Sequence, residues 1–260
     1  MKRSAPFGWA VVCAPALLLV IIPLLALTGR SSASRILYAL GREETQSAIA
    51  LSIRTTVLSA LIVAFIGLPL AFFLARCRHW LAKIADAISD TPIVLPPAAA
   101  GIALLAAFGR EGLVGSKLDE WGIQIVFTST AVVVAQCFVA LPYFVRSATE
   151  GFRNLDSDTF AAAAIDGATG VRSFWHIAAP QARAAILAGL LLAWARALGE
   201  FGATLMFAGN FVGRTQTMPL AVYSGFEGDL DIAISLSVIL MAIALLVILA
   251  ARWVGRTRTA

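Results

Sequence analysis

Apolar runs long enough to cross a bilayer recur along this chain, and polar residues gather between them. A hydrocarbon layer about 30 Å thick takes roughly 20 helical residues. Six runs reach or approach that length, at about 8–28, 52–75, 93–109, 125–145, 184–208 and 232–251. The third is short, and the fifth carries Arg196 and Glu200. The pattern predicts an all-α membrane protein with six transmembrane helices. It divides into an N-terminal helix with its outer loop (1–50) and a main transmembrane unit (51–255).

Composition strengthens that picture and narrows the function. Of the 260 residues 60% are hydrophobic and 13% charged, with a mean hydropathy of +0.86. The spans leave no room for a soluble catalytic domain. Basic residues are preferentially retained on the cytoplasmic side. With both termini cytoplasmic, twelve Lys or Arg fall on inner segments and seven on outer ones. The net charge of +5 then reflects topology, and no nucleic-acid partner is expected. Lys2 and Arg3 precede the first run as they would in a secretory signal, but the run is long for a signal core and its removal would leave an odd number of spans. Cys13, Cys77 and Cys137 show no CxxC spacing for metal or redox work.

Several chemistries lack their residues. No GxxxxGK[ST] segment is present to cradle nucleotide phosphates, and GREGLVGSK at 109–117 lacks the GK[ST] ending. His79 and His176 stand alone, without HExxH or GxSxG company. The chain is therefore expected to be no enzyme, with no catalytic residues, no metal site and no cofactor of its own.

The longest inner segment, 146–183, is punctuated as two short helices. Ser157 or Asp158 can cap one through TFAAAAI, which Gly167 closes; Thr169 can start a second, VRSFWHIAA, which Pro180 follows. Read locally, this is an amphipathic elbow lying against the membrane. Its spacing is more specific: Ala162 and Ala163, three residues, Gly167, nine residues, Ile177, one residue, Ala179 and Pro180. It resembles the EAA loop of permease subunits of ATP-binding-cassette importers, with Ala161 where that family carries glutamate and Ala179 where it carries leucine. The resemblance implies a coupling helix at about 156–180 that docks into a separate ATPase subunit. Small Ala161, Ala162 and Ala163 would seat closely, Gly167 would allow the turn, and Phe174 and Trp175 would add apolar contact.

In the fifth run, a projection at 100° per residue puts Leu187, Leu191, Trp194, Leu198, Phe201 and Leu205 on one face. Gly189, Ala193, Arg196, Glu200 and Thr204 fall opposite. A charge at mid-membrane costs about 2.5–3.5 kcal/mol on insertion scales, so the charged face should meet protein or water. Two readings stand: an ion pair that pins the bundle, or a polar element beside a translocation path.

RALGEFGATLMFAGN (196–210) and GRTQTMPLAVY (213–223) resemble the molybdate branch of the molybdate, sulfate and tungstate permeases, as does TPIVLPPAAAGIALL (91–105). The resemblance covers about residues 50–250. It implies a type I importer permease fold in the bacterial cytoplasmic membrane, working as a homodimer. Two ATPase subunits inside would use ATP and Mg, and an extracytoplasmic binding protein would deliver the oxyanion. Arg196, Thr204 and Asn210 become candidate path contacts, with Glu200 partly neutralising Arg196. Molybdate is the expected substrate, and sulfate or tungstate the alternatives. A proton-coupled secondary transporter could also use Arg196 and Glu200, but would not need the EAA-type loop.

Overall fold

The computed structural model describes residues 7–77, 79–155 and 170–256. In chain order the helices are α1 (Phe7–Gly29), α2 (Ala33–Gly41), α3 (Glu43–Arg76), α4 (Trp80–Val94), α5 (Pro97–Phe108), α6 (Gly115–Glu120) and α7 (Ser129–Arg153). There follow α8 (Val171–Leu198), α9 (Gly202–Ala208), α10 (Met218–Glu227) and α11 (Leu230–Arg256). Among the described residues five helices are long and apolar enough to cross a membrane, and the bent pair α4–α5 brings the number to six when counted as one broken span.

The centre is α7, which packs along both α3 and α8. Helices α3 and α7 run parallel: Ser59 lies 3.0 Å from Gln136 Oε1, and further along both helices Thr149 donates to the Ala71 carbonyl at 3.4 Å. Helix α8 runs antiparallel to both. Ser147 donates to the Ala185 carbonyl at 2.8 Å, and the Trp194 indole donates to Thr56 at 2.9 Å. Small residues permit this closeness. A Cβ on Gly189 would lie 2.9 Å from the Ser147 Cβ, and one on Gly151 would overlap the Ala185 methyl. Around this seam Val63, Ala140, Phe144, Ala148, Ala182 and Ala193 form the main core.

Parallel α3 and α7 require the chain to return across the bundle between them. Helices α4 and α5, about 22 and 18 Å long at 1.5 Å per residue, are each too short to do so alone. The return is thus made by two helices bent by 119° at their junction, rather than by the single span expected at 93–109. Leu95, Pro96 and Pro97 cause the break. Leu95 and Pro96 are extended, at ψ 128° and 137°, because a residue before proline is pushed out of the helical region. Pro97 then opens α5, where its missing N–H costs nothing.

Other boundaries also differ from expectation. The fifth span, expected to be continuous over 184–208, stops at Leu198 and resumes at Gly202. Pro180 does not end the preceding helix, because a π-helical turn over Phe174–Ala178 widens the backbone just before it. That turn relieves the clash a proline ring makes with the preceding turn of an α-helix. The outer loop expected between the first two runs contains α2 and the first turns of α3, which begins at Glu43.

The aromatic trio Phe72, Phe152 and Phe174, with ring centroids 5.0–5.9 Å apart, marks the loop end of the bundle, where α7 stops and α8 starts. At the opposite, far end, Ala48, Met218 and Leu236 pack together, as do Val126, Ala131, Phe207 and Ala208. Gly151→Val should force α7 and α8 apart at the loop end and destabilise the protein by about 1–3 kcal/mol or more. Thermal denaturation in detergent measures it, and an unchanged midpoint would contradict the packing.

Candidate functional site

The two charges of the fifth span meet at its break. Helix α8 ends in a turn closed by Gly199, whose N–H reaches the Ala195 carbonyl at 3.3 Å. Glu200 then sits between α8 and α9, with its side chain only 1% exposed. One carboxylate oxygen, Oε2, lies 2.7 Å from Arg196 Nη1. The other, Oε1, accepts the Ala203 N–H at 2.8 Å, one of the amides that opening a new helix leaves without a partner. The pair therefore closes the end of one helix and caps the next. It is not the i,i+4 contact of a continuous helix that the 100° projection implied.

Helix α9 presses on the start of α5. A Cβ on Gly202 would stand 2.6 Å from the Pro97 Cβ, and one on Gly101 would stand 2.9 Å from the Ala203 carbonyl. The break after α8 thus rests on the break between α4 and α5. Thr204, on α9, is fully buried, and its hydroxyl has no protein partner. Asn210 turns to α10, donating to Ser224 Oγ at 2.8 Å, while its Oδ1 is buried and unpartnered.

Between α9 and α10 residues 211–214 are exposed, whereas Thr215, Gln216, Thr217 and Met218 are buried. Gly209 and Gly213 take φ of 73° and 71°, which glycine adopts without strain. Thr215 Oγ1 accepts the Phe211 N–H at 3.0 Å and lies 3.3 Å from the Gly209 carbonyl, and Ser52 Oγ accepts the Met218 N–H at 2.7 Å. The loop is folded back into the bundle and tied to α3.

At the loop end, Ala161, Ala162, Ala163 and Gly167 lie outside the described residues. Phe174 faces inward onto Phe72 and Phe152, so its apolar surface serves the bundle. Trp175 is 59% exposed. Ile177 is half-buried, and Pro180 lies on the surface.

One pair escaped the sequence reading. Arg146 of α7 grips Asp90 of α4 with both prongs, Nε to Oδ1 and Nη2 to Oδ2, each at 2.8 Å. Arg146 had counted only as a topological charge, and no local pattern links residues 56 positions apart. Among the described residues no group of three His, Cys, Asp or Glu is arranged to hold a metal ion.

The described residues thus form a membrane bundle in which two of the crossings are broken. Residues 67–258 match the model of the binding-protein-dependent transport system inner membrane component. The chain belongs to this family. It is a multi-pass membrane permease subunit of the ABC importer type. It is 41% identical over 230 residues to the molybdenum transport system permease protein ModB of Mycobacterium tuberculosis, covering 88% of this chain and 87% of that one. It is 38% identical over 235 residues to the probable transport system permease protein NifC of Clostridium pasteurianum, covering 90% and 82%. A bacterial ABC transporter that imports alginate shares the fold, with a TM-score of 0.72 over 97% of this chain and 98% of that one at 15% identity.

The break makes removal of its two charges unequal. Arg196→Gln strands Glu200, buried and unpaired, which costs about 3–5 kcal/mol. Glu200→Gln leaves Arg196, 27% exposed, able to reach water and should cost clearly less, because Gln still accepts the Ala203 N–H. Comparative thermal denaturation checks the order, and equal losses would contradict it.

Proposed function

We propose that this chain is the molybdate-conducting permease of an ATP-driven importer. The observation that carries the substrate is the 41% identity to a molybdenum permease across nearly the whole of both chains. In this reading the loop end faces the cytoplasm, as do both termini. Two copies of the chain enclose the path, two ATPase subunits dock below, and an extracytoplasmic binding protein delivers the anion above. ATP and Mg belong to the ATPase subunits.

Three structural features support how such a subunit would work. Helix α8 is one element from the exposed Trp175 to Arg196, some 30 Å at helical rise, so a push at the loop end arrives at the break. Ala161, Ala162, Ala163 and Gly167 would seat the coupling helix in the ATPase, with Trp175 contributing apolar contact. Arg196 and Glu200 brace the break. Thr204 and Asn210, whose buried oxygens lack protein partners, are among the polar groups left to meet water or anion when the far end opens.

The test is reconstitution of the permease with its ATPase and binding protein in proteoliposomes. ATP-dependent molybdate uptake is expected, with tungstate and sulfate as competitors ranked by inhibition. Uptake driven by a proton gradient without ATP would contradict the reading. Gly167→Asp should preserve folding yet lower uptake per ATP hydrolysed at least several-fold, since a carboxylate would enter the docking turn.

A further inference from the structure

Of the four arginine–carboxylate pairs among the described residues, two are of opposite character. Arg196–Glu200 is locked: the carboxylate is buried, and its second oxygen is committed to the Ala203 amide. Arg146–Asp90 is open. The Arg146 side chain is 60% exposed and that of Asp90 is 28% exposed. Pairs this wet are weak and exchange with other ions, whereas breaking a buried pair is strongly opposed.

The geometry of the open pair is that of anion recognition. Arg146 presents Nε and Nη2 as a planar fork to two oxygens of one acceptor. A tetrahedral oxyanion offers a matching oxygen pair to the same fork. Asp90 occupies the place such an anion would take. Both partners stand beside weakened helix: Asp90 is two residues before Pro92, inside α4, and Arg146 four residues after Pro142, inside α7. Each proline removes a helical hydrogen bond, so the backbone carrying either side chain yields more easily than a regular helix.

The pair lies near the loop end, on the exposed side of α7: the neighbouring Ser147 is bonded to Ala185, and Thr149 to Ala71. Its surroundings are acidic. Asp86 precedes Asp90 by one turn of α4, and Glu150 follows Arg146 by one turn of α7. An oxyanion held here would sit on one arginine among three carboxylates. Such a place suits discharge rather than storage.

We propose that Arg146 receives the oxyanion at the loop end of the path and that Asp90 is the tethered competitor that displaces it. This rests on the oxyanion-permease reading above. A tethered carboxylate competes at a fixed effective concentration, so Arg146 holds the anion only while α4 keeps Asp90 away. Closure of α4 on α7 restores the fork and expels the anion. Asp90 is then a positioning residue, and Arg146 the binding one.

The experiment uses the permease–ATPase complex with its binding protein in proteoliposomes, with labelled molybdate, and compares Asp90→Asn, Arg146→Gln and Arg146→Lys. Asp90→Asn should lower the KM for uptake and slow turnover several-fold, because the anion is held longer. Arg146→Gln should raise KM several-fold, and Arg146→Lys should fall between, keeping the charge but not the fork. A simple structural latch predicts that Asp90→Asn and Arg146→Gln shift KM and melting temperature in the same direction, and that result overturns the proposal. If Arg146→Gln does not fold, Asp90→Asn decides alone, and an unchanged or raised KM overturns it. Wild-type complex that takes up none of molybdate, tungstate or sulfate with ATP would overturn the oxyanion reading itself. Normal wild-type uptake with parallel variants removes only the exchange site.

Discussion

A helix that stops inside a bilayer exposes peptide groups that no solvent can satisfy, and this fold stops two of its crossings there. The breaks are resolved by different chemistry. At Leu95–Pro97 two successive residues have no N–H to leave unpaired, while the Leu95 N–H still reaches Thr91 and the Ala100 N–H reaches the Pro96 carbonyl. At Gly199–Phe201 the missing partner is supplied by Glu200, whose carboxylate takes the first free amide of α9 and is neutralised by the arginine of the preceding turn. The two solutions touch, with Gly202 against Pro97. Close packing of α5 on α9 follows, and with it the far end of the bundle.

Around that junction the molecule divides by stiffness. Helices α3, α7 and α8 are joined by glycine and alanine contacts along their length and by side-chain bonds to backbone carbonyls, which leave little room for sliding. The two kinked crossings instead meet their neighbours through short helices. A displacement at Trp175 can therefore travel along α8 and be taken up at Glu200. Under the proposed function this would be a hinge at an element end. The π-helical turn at Phe174–Ala178 belongs to the same logic, since it keeps α8 continuous through Pro180.

Much of this architecture was legible in the sequence, for a definite reason. Bilayer thickness converts directly into run length, so the crossings and their order could be read from hydropathy. The parallel course of α3 and α7 follows from the count. The breaks were harder to read. LPP at 95–97 is a strong punctuation signal, yet it lies within a run apolar enough to pass as one span. GEF at 199–201 was concealed by periodicity: four-residue spacing puts Arg196 and Glu200 together in an intact helix, and a capped break preserves the same contact. At Thr215–Thr217 polarity does not mark exposure. Here it meant polar groups buried against the helices of the bundle. Asp90 and Arg146 were invisible as a pair because partner choice across 56 residues depends on how α4 lies against α7, which no local pattern encodes.

The placement of charge then acquires a physical order. Moving a carboxylate out of water is costly, and the cost is recovered only where geometry supplies several fixed partners. Glu200 has them: an arginine, a helical amide and a dry setting. It can therefore be kept in one state through a cycle of motion. Asp90 has one partner and partial hydration, so leaving that partner costs little. A conduit for an ion needs both kinds of site. Fixed charges must hold the broken backbone in shape without trapping cargo, and loosely held ones must change partners as helices move. The fold meets the first need by burying Glu200 at the junction of α5, α8 and α9. It meets the second by leaving Arg146 where water, carboxylate and a passing anion can all reach the same guanidinium.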